Sequence, residues 1–173
     1  NGIKVVSQPM SMVKFYNNKI GFFMGLQQTV NFDYLTVKYL DNKARVLTQG
    51  DVVYHTDFNS PEGWEDYSDE KSNNTVSSGV LNFRRKATEN SVSHLTRNFN
   101  IDLSRNFSIE TSVARISGNS NNAYGISFGQ KDVYNENRFG ISANGFYILN
   151  YVIDNNLLYG FPWTETPLIK QTE

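Results

Sequence analysis

Apolar and polar residues alternate along most of this chain with the two-residue period of a half-buried strand, not the 3.6-residue period of a helix. Ser93, Leu95, Arg97, Phe99 and Ile101 interleave with His94, Thr96, Asn98 and Asn100. Phe107, Ile109, Thr111 and Val113 interleave with Ser108, Glu110, Ser112 and Ala114, and Phe139, Ile141 and Ala143 with Arg138, Gly140 and Ser142. Each set predicts a strand with one apolar and one polar face. The best helical candidate is Asp41–Gln49, with Asp41 as N-cap and Gly50 after it; it is so short that it reads equally as a connector.

Turn signals fall between these runs. Asn144-Gly145, set between Arg138–Ala143 and Phe146–Val152, predicts a type I′ hairpin, because Asn and Gly best tolerate the positive φ that such a turn requires. Asp154-Asn155-Asn156 predicts a second hairpin that returns Leu157–Phe161 along the sheet. Further turns are expected at Asn17-Asn18, at Gly118–Asn122 and in the polar stretch Ser68–Asn74. Short strands at this spacing predict an all-β protein, an antiparallel β-sandwich or barrel.

Composition agrees. Twelve Phe, ten Tyr and two Trp suit pleated surfaces, and 22 Asn with twelve Gly suit turns. Sixteen Lys and Arg against seventeen Asp and Glu leave a net charge of −1 with no block of like charge. That argues against a nucleic-acid partner or an anionic membrane surface. No apolar run approaches the roughly 18–20 residues of a membrane-crossing helix, so no membrane insertion is expected. The absence of cysteine excludes disulfides, thiolate metal sites and Cys nucleophiles. The start, Asn1-Gly2-Ile3-Lys4, has neither an initiator Met nor a signal-peptide core, and the expectation is a chain cut from a longer one.

Lys19-Ile20-Gly21-Phe22-Phe23-Met24-Gly25, followed by Gln27–Val37 with its Phe32-Asp33-Tyr34-Leu35-Thr36-Val37, resembles the closing hairpin of concanavalin A-like jelly-roll modules. Val52–Asn59 followed by Gly63-Trp64 resembles their opening strand, and Ser78–Phe83 with the meander from Asn100 to Phe161 is similar to the strands that follow. Laminin-G-like and 3-keto-disaccharide-hydrolase-like domains of exported Bacteroidetes-type proteins are the nearest comparisons. The order is permuted, since a domain ending precedes a domain beginning. Residues 1–40 are expected to supply closing strands, 41–50 a connector, and 51–173 the opening and central strands. The two parts complete one sandwich within the chain, or between copies in a strand-swapped homo-oligomer, or the chain is a fragment of a tandem array with neighbouring modules.

Candidate chemistry is sparse. The paired-carboxylate run of jelly-roll glycosidases, Glu-x-Asp-x-x-Glu, does not occur, and Glu110 has no acidic partner on its own strand face. His55 and Asp57 share a strand face but are too few for a transition-metal site. Calcium, which takes carboxylate and amide oxygens, fits better; if the strands around them pair, Asp33, Asp57, Asn59 and Glu62 are the expected ligands. Sugar rings stack on aromatic side chains while amides and guanidinium groups bond their hydroxyls. The C-terminal meander offers Tyr147, Tyr151 and Trp163, with Arg138, Asn144 and Asn150 nearby. The sequence and the resemblance therefore lead to the expectation of a non-catalytic binding or adhesion module, extracellular, at the cell surface or periplasmic, whose partner is a glycan or surface polysaccharide. The alternatives are a glycoside or keto-sugar hydrolase using Glu110 and Asp132, and a structural repeat.

Overall fold

The computed structural model describes residues 15–43, 46–89 and 91–170. Among them there is no helix: the chain is all-β, with two antiparallel sheets of the β-sandwich class. Contacts group these residues into two units.

The first unit holds one six-stranded sheet. β1 (Lys19–Gly25) comes first in the chain, with β2 (Gln28–Lys43), β3 (Val46–Thr56), β4 (Tyr67–Ser68), β5 (Ser72–Ser77) and β6 (Val80–Arg85) following it outside this sheet; β7 (Val92–Asn98) returns to it. After β8 (Phe107–Gly118), the strands β9 (Tyr124–Asp132), β10 (Asn135–Ser142), β11 (Phe146–Ile153) and β12 (Asn156–Glu165) form a meander, and the strand order is β12-β11-β10-β9-β1-β7. β1 is an interior strand, between β9 and β7, and is buried on both faces, which explains its apolar run Ile20–Met24 with only Gly21 interposed.

The expected hairpin between β1 and the Gln27–Val37 segment does not form. β1 pairs with β7 on one edge and β9 on the other, which leaves no edge for β2, and Leu26 at φ 40° turns the chain out of the sheet.

In the second unit the 16-residue β2 is the organising strand. β8 runs along one edge, while β6 pairs with Gln28–Phe32 and β3 with Leu35–Lys43 on the other; β5 and β4 extend the sheet beyond β6. Val30, Phe32, Leu35 and Val37 are all fully buried although their spacing breaks the two-residue period between Phe32 and Leu35. The break is matched by a register shift against β8 between Phe32 and Tyr34, a bulge whose extra residue restores the apolar face to one side. Val52–Thr56 pairs antiparallel with Leu35–Lys38.

Three local expectations need correction. Asp41–Gln49 makes no helical turn: Asp41, Asn42 and Lys43 pair with Thr48, Leu47 and Val46, so the supposed connector is the end of a β-ladder, with Ala44 and Arg45 outside the described residues. The type I′ turn forms at the second meander hairpin, not at Asn144-Gly145. Ser142 pairs with Phe146, so Ala143-Asn144-Gly145 is a three-residue loop in which Gly145 alone has positive φ, 96°, and its N–H donates to the Ser142 carbonyl at 3.1 Å. Ile153 pairs with Asn156, and Asp154 and Asn155, at φ 49° and 65°, supply the two left-handed residues of a type I′ turn. The polar Ser68–Asn74 stretch is a turn only between β4 and β5, since β5 begins at Ser72.

Candidate functional site

Residues paired across an antiparallel ladder share a face, so the register of the first unit's sheet sorts its side chains into rows. One face carries the apolar row Phe22, Ile126, Phe139, Leu149, Phe161. The other carries a polar row that crosses all six strands: Thr96, Gly21, Ser127, Arg138, Asn150, Tyr159.

Glu136 is the hub of this polar face and is fully buried, at 0% exposure. Its Oε1 accepts from Arg138 Nε at 2.8 Å and from Arg138 Nη2, and His94 Nε2 lies 2.9 Å away. Its Oε2 accepts from Ser127 Oγ at 2.8 Å and Gln130 Nε2 at 3.3 Å, and Gln130 Oε1 accepts from Thr96 Oγ1 at 2.7 Å. Burial pushes the Glu136 carboxyl up, but the hydrogen bonds and charges of His94 and Arg138 outweigh it, and the group is held below the usual carboxylate range. The guanidinium of Arg138 also sits 5.9 Å from the Phe23 ring centroid.

Beside this hub stands Asn150, directly opposite Arg138 in the β10–β11 ladder. It is 9% exposed, and its Oδ1 is buried with no hydrogen-bond partner among the described residues. On its far side Asn150 faces Tyr159 of the edge strand β12, a residue that is 55% exposed.

The residues anticipated as a glycan site do not converge. Arg138 belongs to the polar face, whereas Tyr147 and Tyr151 belong to the opposite one. Tyr151 is 3% exposed, and its hydroxyl fills the space beside Gly160, where a Cβ would lie 2.3 Å from it. Tyr147 packs with Phe139 and Phe161 at centroid distances of 6.3 and 6.4 Å. Asn144 sits in the β10–β11 loop, where its Oδ1 accepts from Ser142 Oγ at 2.6 Å. Trp163 is 43% exposed and lies on β12, between the paired residues Phe161 and Thr164.

Of the anticipated calcium ligands, Asp33, Asp57 and Asn59 hydrogen-bond locally. Asp33, at the β2 bulge, is exposed and accepts from Ser112 Oγ at 2.6 Å. Asp57 accepts from the Asn59 backbone at 3.1 Å and from Asn59 Nδ2 at 2.7 Å, bonds that hold its carboxyl below the ordinary range, and Glu62 is exposed in the following loop. Among the described residues no three His, Asp or Glu side chains gather as a metal site. Of the two acids considered for hydrolysis, Glu110 pairs with Lys38 at 3.0 Å, and Asp132 accepts from the Tyr134 backbone at 2.9 Å in the β9–β10 turn.

Sequence reasoning missed Glu136. The signal was present, since Glu136, Arg138, Gly140 and Ser142 recur at period two opposite Phe139 and Ile141. Alternation, however, separates two faces without saying that the polar one is covered.

The fold and this face together define an all-β chain carrying a buried polar cluster next to a partly open edge strand. No protein-family model, no curated protein and no solved structure matches it.

Proposed function

We propose that this chain is a non-catalytic carbohydrate-binding module, and that the sugar lies at the exposed β12 edge of the polar face of the first unit's sheet, over Tyr159. The observation that carries the reading is the row Arg138, Asn150, Tyr159 on three adjacent strands. It lines up a guanidinium fixed by Glu136, an amide oxygen lacking a partner, and an exposed aromatic ring. The Tyr159 ring supplies the apolar plane on which a pyranose stacks.

The buried hub supports binding rather than hydrolysis. A general acid must hold a proton at neutral pH and reach the substrate. Glu136 is held ionised by its neighbours and is fully enclosed. The resemblance to jelly-roll modules of exported proteins points to a surface polysaccharide as the partner.

Retention on a panel of immobilised polysaccharides tests this reading. Wild-type protein should be retained by at least one of them, and Tyr159→Ala and Asn150→Ala should each weaken that retention about tenfold. Wild-type levels in both variants, or no retention on any matrix, would remove the site. Reducing sugar released from the bound polysaccharide would replace the binding reading with an enzymatic one.

A further inference from the structure

Resting on that reading, we infer that the ligand is a neutral, linear polysaccharide held along the middle of its chain, with one sugar ring on Tyr159 and the next on Trp163. Both residues lie on the edge strand β12 and are open to solvent, at 55% and 43% exposure.

The register of the β11–β12 ladder puts the two on one face. Tyr159 stands opposite Asn150 and Phe161 opposite Leu149, so Gly160 is an extra residue between them. Packing fixes this bulge, because a Cβ on Gly160 would run into the Tyr151 hydroxyl. Thr164 stands opposite Tyr147, which leaves Pro162 and Trp163 together against the single residue Ile148, a second bulge. Side chains alternate along a strand, so Trp163, next to Thr164, belongs to the face of Ile148 and Asn150, which is also the face of Tyr159. With two residues taken up by bulges, the step from Tyr159 to Trp163 matches only the step from Asn150 to Ile148, about 6–7 Å along the strand. One residue of an extended glycan advances by a similar length, so consecutive rings meet the two aromatic side chains. Each contact raises the effective concentration of the ligand at the other.

β12 also selects its occupant. Backbone pairing with another strand, β12 of a second copy included, is obstructed here by both bulges and by Pro162, which has no N–H to donate. Recognition therefore falls to the exposed side chains, not to the strand edge. The one charged side chain of β12, Glu165, is exposed and pairs with Phe146, which puts it on the Trp163 face just beyond the platform. A polymer of acidic sugars meets a like charge there and a neutral one does not. Leu157 and Glu165, exposed beyond the two ends of the pair, leave room for the chain to continue in both directions.

The experiment is isothermal titration calorimetry with glucose, mannose and galactose and with their β-1,4-linked oligomers from disaccharide to pentasaccharide, alongside retention on glucan, mannan, galactan and polygalacturonate. For at least one sugar, affinity should rise about tenfold or more from monosaccharide to trisaccharide. Borohydride reduction of the end residue of its pentasaccharide should leave affinity unchanged. Trp163→Ala, with its fold checked by circular dichroism, should lower pentasaccharide affinity about tenfold, and Trp163→Phe, which keeps a smaller ring, should lower it less. Glu165→Gln should shift the ratio of acidic to neutral retention toward polygalacturonate several-fold. A monosaccharide bound as tightly as its trisaccharide, wild-type affinity of Trp163→Ala at every length, or tighter retention on polygalacturonate than on any neutral polymer overturns this inference while the carbohydrate reading stands. A dimer in sedimentation velocity that Trp163→Ala abolishes also overturns it, since the platform would then be a contact between copies. Absence of binding to every saccharide overturns both.

Discussion

Arg138 and Glu136 stand two residues apart on β10 and meet over one face of the sheet, the guanidinium giving Nε and Nη2 to a single oxygen of a carboxylate with no exposed surface. Removing one member of a buried ion pair strands the other, and such losses cost about 3–5 kcal/mol. Glu136→Ala is therefore expected to lower unfolding stability by that amount, read from urea midpoints at neutral pH. Glu136→Gln, which keeps the shape and part of the hydrogen bonding, should cost less. Equal stability of Glu136→Ala and wild type would mean that water, rather than this pair, satisfies Arg138.

The same carboxylate makes stability depend on acidity. Its folded pKa is depressed, despite burial acting in the opposite direction, by His94 and Arg138, while in the unfolded chain a Glu titrates near about 4.3. The folded state thus holds its proton less readily than the unfolded state. Its contribution is whole above the unfolded value and is lost as pH falls through the folded one. The stability gap between wild type and Glu136→Gln should narrow as pH falls below about pH 4. Urea unfolding across that range measures it, and a gap that persists undiminished into strong acid contradicts the assignment.

The type I′ turn at Asp154-Asn155 gives a backbone prediction. Asn155, at φ 65°, tolerates the left-handed region, which for a β-branched residue costs about 1–2 kcal/mol. Asn155→Val should lower the thermal midpoint accordingly, whereas Asn155→Gly should leave it unchanged or raise it. If Val is tolerated as well as Gly, the turn is not held in this geometry.

The places where sequence and structure part company share a physical cause. Period two placed the β7, β8 and β10 strands, because side-chain alternation is a local property of the backbone. It also marked both meander turns, but a turn's type follows from which residues pair across it, and the Ser142–Phe146 pairing makes three residues, not two, bridge β10 to β11. The β1–β2 hairpin was misread for a related reason: proximity in sequence suggested a partner, while the partners of β1 lie at Val92–Asn98 and Tyr124–Gln130. The candidate site was legible only in fragments. Arg138, Asn150 and the aromatic residues were visible as types, yet which of them share a face depends on bulges in the β11–β12 ladder, where the register shifts twice between Tyr147 and Asn150. Such irregularities come from packing on both sides of a strand and leave no clear mark in the alternation itself.

Gly21 tests whether the polar face depends on the close approach of β1 and β7. It occupies the polar row between Thr96 and Ser127, and a Cβ there would lie 2.1 Å from the Leu95 carbonyl oxygen and 2.6 Å from Thr96 Cα, both backbone atoms that cannot rotate away. Gly21→Ala must therefore push β7 off β1. That displaces His94, which reaches Glu136 from β7, and Thr96, which bonds Gln130. The expected cost is at the upper end of the 1–3 kcal/mol or so that overpacking incurs. Gly25→Ala is the matched control, since its nearest neighbour, the Ala123 carbonyl oxygen, stays 3.6 Å from the added carbon, and it should change stability by less than about 0.5 kcal/mol. Hydrogen exchange separates a local effect from a global one: in Gly21→Ala the amides of Val92–Asn98 should lose protection more than those of β10 and β11. Uniform loss across the sheet, or equal stability of the two alanine variants, would show that β7 is not held against β1 in the register described.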